Sequence, residues 1–77
     1  MKEKYQTDDY PAVREAILEL VMRGKIDATD LLIIAERDCS PMPPMRTVAM
    51  RIGIGLATVS RRTERMERLI IKNMSAS

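Results

Sequence analysis

Apolar positions fall in four groups along the chain, each with its own spacing. Val13, Ile17, Leu20 and Val21 recur at i, i+4, i+7 and i+8, the single stripe of an amphipathic helix. They predict a first helix from about Asp9 to Arg23, with Asp8 or Asp9 as cap and Pro11 tolerated in its first turn. Gly24 supplies the stop, and Arg23 and Lys25 lie near the negative end of the helix dipole. In the second group, Leu31-Leu32-Ile33-Ile34-Ala35 is apolar on every side. Asp27 as N-cap, Asp30 in the first turn and the polar end Glu36-Arg37-Asp38 favour a helix from about Ala28 to Asp38 over a buried strand. A helix apolar all round belongs at the centre of a core or at a subunit contact.

Ser40-Pro41-Met42-Pro43-Pro44 then stops the helix and forms a stiff, extended connector. A third, short helix is expected from Pro44 or Met45 to Ile52, followed by the turn Gly53-Ile54-Gly55. A fourth runs from Leu56 to at least Leu69, with Met74 as its furthest expected end. Residues 1–7 are polar and expected to be disordered, and 75–77 are read as a tail, leaving one domain over residues 8–74.

Residues 44–69 have the spacing of a helix-turn-helix. Two short helices that cross closely need a small residue where they meet, and Ala49 fills that place. Four residues later the chain must turn sharply, and Gly53 permits a positive φ there. Val48, Ile52, Ile54 and Val59 plug the angle between the helices. The expected fold class is therefore all-α, four helices with the last two forming a helix-turn-helix; a truncated winged version is the alternative, its strand being Leu69-Ile70-Ile71.

In such a unit the second helix reads the major groove from its N-terminal end. Ala57 suits a thymine methyl, Thr58 and Ser60 suit phosphate or a base edge, and Arg61 suits guanine. Arg61, Arg65, Arg68 and Lys72 fall on one helical stripe, while Val59, Thr63, Met66 and Ile70 fall on the opposite one. Glu64 and Glu67 lie between, within reach of arginines three or four residues away.

Charge sharpens this picture. The net formal charge is +2, but residues 1–45 hold six Lys/Arg against nine Asp/Glu, and residues 46–77 hold seven against two. A basic C-terminal part suits a polyanionic partner. The chain has no Phe, no Trp and two Tyr, too few aromatic faces for a single-strand stacking platform. With no His, it lacks the commonest acid–base catalyst and metal ligand. There is no carboxylate cluster in a defined cleft, and Gly53-Ile54-Gly55 follows a helix, where a nucleotide loop would follow a strand. The sequence therefore predicts a binding protein that is not an enzyme and needs no cofactor or metal. A single cysteine, Cys39, excludes an internal disulfide and reads as a small buried or half-buried residue in a reducing compartment. The start of the chain leads into Asp8-Asp9 rather than an apolar signal region, and no apolar run approaches the ~18 residues of a membrane span, so a cytoplasmic location is expected.

Gly-Ile-Gly-Leu-Ala-Thr-Val-Ser-Arg, residues 53–61, resembles the turn and recognition helix of the Trp-repressor-like proteins. Its Ala-Thr-Val-Ser-Arg part is also similar to lac-repressor-type and MarR-type recognition helices. The resemblance covers about a quarter of the chain. It implies DNA contact at Leu56, Ala57 and Thr58, and a corepressor pocket bordered by the position of Arg61. Where that family has glycine and a pocket serine, this chain has Arg62 and Arg65, which tells against tryptophan binding. The candidate DNA-binding residues are thus Leu56, Ala57, Thr58, Ser60, Arg61, Arg62, Arg65 and Arg68. The function expected is a sequence-specific, homodimeric transcriptional repressor of duplex DNA. The alternatives are a DNA-packaging or partition adaptor of a phage or plasmid, and a protein-only interaction module, for which Met42, Met45, Met50, Met66 and Met74 would line a groove instead of filling the core.

Overall fold

The computed structural model describes residues 10–39 and 41–76. They form four helices and, among the described residues, no strand: α1 (Tyr10–Met22), α2 (Ala28–Arg37), α3 (Met45–Ile52) and α4 (Leu56–Ala76). The expected caps Asp8 and Asp9, residues 1–7 and Ser77 lie outside the described residues.

Each boundary has a local cause. α1 ends at Gly24, whose φ of 76° admits a two-bond closure: Gly24 N–H donates to the Val21 carbonyl at 3.0 Å and Lys25 N–H to the Leu20 carbonyl at 2.8 Å. α2 begins in a reciprocal capping box. Asp30 N–H donates to Asp27 Oδ1 at 2.9 Å, and Asp27 N–H donates to Asp30 Oδ2 at 3.2 Å. Pro44 precedes α3 in extended conformation and has no N–H to leave unpaired. α3 ends at Gly53, left-handed at φ 87° and ψ 32°, where the N–H groups of Gly53 and Ile54 both donate to the Ala49 carbonyl, at 2.8 and 3.1 Å.

α4 packs against each of the other three helices, and α2 also packs against α3. The core is built from Val13, Ala16 and Leu20 of α1, Ile26 of the first turn, Ile33 of α2, Val48 and Ala49 of α3, and Val59, Met66 and Ile70 of α4. The inner stripe expected for α4 is buried as a whole, Thr63 included.

Four details depart from the sequence reading. Leu69-Ile70-Ile71 is helical, which removes the strand a winged alternative needs. α4 continues through Ser75 and Ala76, since nothing in its last turns breaks the helix, so most of the expected tail is helix. Cys39 is exposed, because it follows the C-cap of α2 and leaves the helix's inner face; its thiol donates to the Glu36 carbonyl at 3.6 Å. Of the apolar run in α2, only Ile33 is fully buried, with Ile34 half-buried, while Leu31, Leu32 and Ala35 are exposed.

Candidate nucleic-acid interface

Burial of Val59, Thr63, Met66 and Ile70 fixes the rotation of α4, so its other face is set before any side chain chooses a rotamer. Leu56, 46 % exposed, Ala57 and Arg61 then stand in solvent on the first two turns. Further along, Glu64, Arg68 and Lys72 are exposed as well. Thr58 is half-buried and accepts a hydrogen bond from Arg61 Nη2 at 3.4 Å. Ser60 is turned back toward α3, where its hydroxyl meets Met45 Sδ at 3.3 Å.

Arg65 leaves the expected basic stripe, and Arg62, the other arginine expected to meet DNA beside it, goes the same way. Both converge on Asp30, whose carboxylate is fully shielded from solvent. Arg62 Nη1 donates to Asp30 Oδ1 at 2.9 Å and to Asp27 Oδ1 at 3.1 Å. Arg65 Nη2 donates to Asp30 Oδ2, and its Nη1 donates to the Lys25 carbonyl at 2.8 Å. Two residues read from sequence as DNA contacts therefore bind the helix cap of α2 to the flank of α4. Their long side chains allow this: a guanidinium several bonds from its Cα need not follow the stripe its Cα lies on. The Asp30 carboxylate can be fully buried because three donors meet it, the guanidiniums of Arg62 and Arg65 and the Asp27 N–H.

The electrostatics follow from this cluster. The Asp30 N–H bonded to Asp27 holds the Asp27 carboxyl below its ordinary 3.8, with help from Arg62. Arg62 is held above its ordinary value first by its bond to Asp30 and then by Asp27. On the α3 side, exposed Arg51 pairs with Glu36 of α2 at 3.2 Å, and Arg46 is also exposed.

Beside the start of α4 lies an open, polar cleft of about 510 Å³, walled by Lys25 and Asp27 from the α1–α2 connection and by Thr58, Arg61, Arg62 and Arg65 from α4. Lys25 and Asp30 were absent from the sequence reading of the site. Their signal is tertiary, since residues 35 and 40 positions apart in sequence meet here.

No family model matches the chain, and neither a curated protein nor a solved structure matches it.

Proposed function

We propose that this protein binds duplex DNA with sequence preference, α3 and α4 acting as a helix-turn-helix and α4 as the recognition helix. The observation that carries this reading is the state of the first two turns of α4. Leu56, Ala57 and Arg61 are solvent-facing there, on a helix whose opposite side is anchored in the core. Small side chains at the leading turn let the backbone approach base edges, and an arginine one turn on has the reach and fork geometry to read guanine. Arg68 and Lys72 on the same face, and Arg46 on α3, supply positive charge for phosphate.

On this reading the base-contacting set narrows to Leu56, Ala57, Thr58 and Arg61, with Ser60 turned toward Met45 and Arg62 and Arg65 committed to Asp30. The protein binds and does not catalyse, and it acts as a repressor by occupying promoter DNA. One module of this size makes few base contacts, so it works as a homodimer on a two-fold-related site. The exposed leucines of α2, Leu31 and Leu32, are the surface for that contact.

Selection of bound duplexes from a random pool, followed by anisotropy titration at several salt concentrations, tests the proposal. The expected result is an enriched sequence bound more tightly than random duplex, with affinity falling steeply as salt rises. Binding that is equally tight to all sequences would replace the repressor reading by the adaptor one. Absence of binding at low salt would remove DNA as the partner.

A further inference from the structure

The α1–α2 connection presents a cation to the side of α4 that the helix-turn-helix motif does not include. We infer that Lys25, beside the base-contacting Arg61 and Thr58, takes a backbone phosphate of the bound duplex, an inference that rests on the DNA-binding reading above.

Lys25 is exposed, yet its backbone is held on both sides. Its N–H donates to the Leu20 carbonyl at 2.8 Å, closing α1, and its carbonyl accepts from Arg65 Nη1 at 2.8 Å. The side chain thus springs from a fixed point on the wall of the cleft that Thr58 and Arg61 form from α4. Arg65 acts as the strut that sets this spacing and is itself neutralised by Asp30. Counting the cluster, Lys25, Arg61, Arg62 and Arg65 face Asp27 and Asp30, which leaves an excess of two positive charges. The two cations without a carboxylate partner among these are Lys25 and Arg61.

The geometry of a duplex explains why a phosphate would arrive there. A helix with side chains is about 10–12 Å across, and the major groove is about 12 Å wide. A helix seated in the groove therefore has a sugar–phosphate strand along each flank. The cleft lies on one flank of α4, at the level of the residues that would meet base edges. Its open, broad shape suits a strand passing by, and with Arg61 and Thr58 turned to base edges Lys25 is the cation left for a phosphate oxygen.

The test is an anisotropy titration of labelled random and selected duplexes with the wild-type chain, Lys25→Ala and Lys25→Arg, each over a series of salt concentrations. For Lys25→Ala the slope of log affinity against log salt should shrink by about 0.9, one phosphate contact, equally on both duplexes. Lys25→Arg should restore the slope, and thermal melting of both variants should match wild type. An unchanged slope in Lys25→Ala, while the wild type binds duplex with ordinary salt dependence, overturns this inference and leaves the DNA reading standing. A wild-type chain that binds no duplex overturns both. A parallel titration with inorganic phosphate, followed at Lys25 and Arg61 by NMR, separates the remaining source. Saturating shifts there, with an unchanged duplex slope, would assign the cleft to a free anion and overturn the phosphodiester assignment.

Discussion

Asp30→Ala removes a carboxylate with no solvent exposure and three bonds at once: the one accepted from the Asp27 N–H, and the contacts to Arg62 and Arg65. The Asp27 cap bond to the residue-30 N–H survives, and the lost return bond from the Asp27 N–H costs about 0.5–1.5 kcal/mol. Removing one partner of a buried ion pair costs about 3–5 kcal/mol when the remaining charge stays buried. Here it does not: the Arg62 and Arg65 side chains are 31 % and 40 % exposed and can rehydrate, so solvent screening cuts that figure. The expected loss is about 2–4 kcal/mol, a large share of the total stability of a domain this small. In a thermal melt that is a fall of about 10–25 °C. Urea unfolding followed by circular dichroism measures it directly, with Asp30→Asn and Arg65→Ala alongside. Asp30→Asn keeps shape and an acceptor and should lose less. Arg65→Ala should lose less again, about 1 kcal/mol, because Arg62 still meets the carboxylate. A loss below about 0.5 kcal/mol for Asp30→Ala, the scale of an ordinary surface change, would refute the claim that this cluster joins α2 to α4.

Ala49→Leu should cost about 1–3 kcal/mol by overpacking where α3 meets the core, read as a lower urea midpoint. Gly53→Val should cost a similar ~1–3 kcal/mol, wholly from its φ of 87°, since a Cβ there meets nothing within 4 Å; equal midpoints for Gly53→Ala, Gly53→Val and wild type would contradict this. The Asp27 carboxyl is depressed in the fold, so its contribution is complete above the ordinary value of 3.8 and is lost as pH falls through the lower folded value. Acid titration should therefore show a step below pH 3.8 that Asp27→Asn flattens. Arg61→Ala should cost about 1–3 kcal/mol on the preferred duplex and bring the ratio of specific to random dissociation constants toward one; an unchanged ratio moves base reading onto Leu56, Ala57 and Thr58. Leu32→Glu should shift sedimentation from dimer to monomer, and a wild-type chain that sediments as a monomer at high micromolar concentration would defeat the dimer.

The helices were legible because each is bounded by residues with one local job. Asp27 caps, Gly24 and Gly53 turn left-handed, and Pro44 starts α3. The inner stripe of α4 was legible for the same reason, since the 3.6-residue period decides which backbone positions face inward. Side-chain destinations were not. Arg65 sits on the stripe of Arg61 and Arg68 by period, yet its guanidinium lies against Asp30 and the Lys25 carbonyl. Asp30 read as a charge favourable to the helix dipole, a local role, while its burial depends on arginines more than thirty residues away. In α2, five successive apolar residues carry no periodicity, so the sequence could not say that Ile33 alone would be fully enclosed.

α4 is one unbroken rod from the candidate interface to the far end of the molecule, where Asn73 Nδ2 donates to Glu19 Oε1 of α1 at 2.9 Å. At 1.5 Å per residue, Leu56 and Asn73 are about 25 Å apart along the axis. A lever of that length turns a tilt of about 1° at the Asn73 end into about 0.4 Å of displacement at Leu56, close to the ~0.5 Å within which a contact geometry must be held. The buried stripe from Val59 to Ile70 pins the rod between those ends, so the aim of its first turn is held by packing along its whole length rather than by the first turn alone.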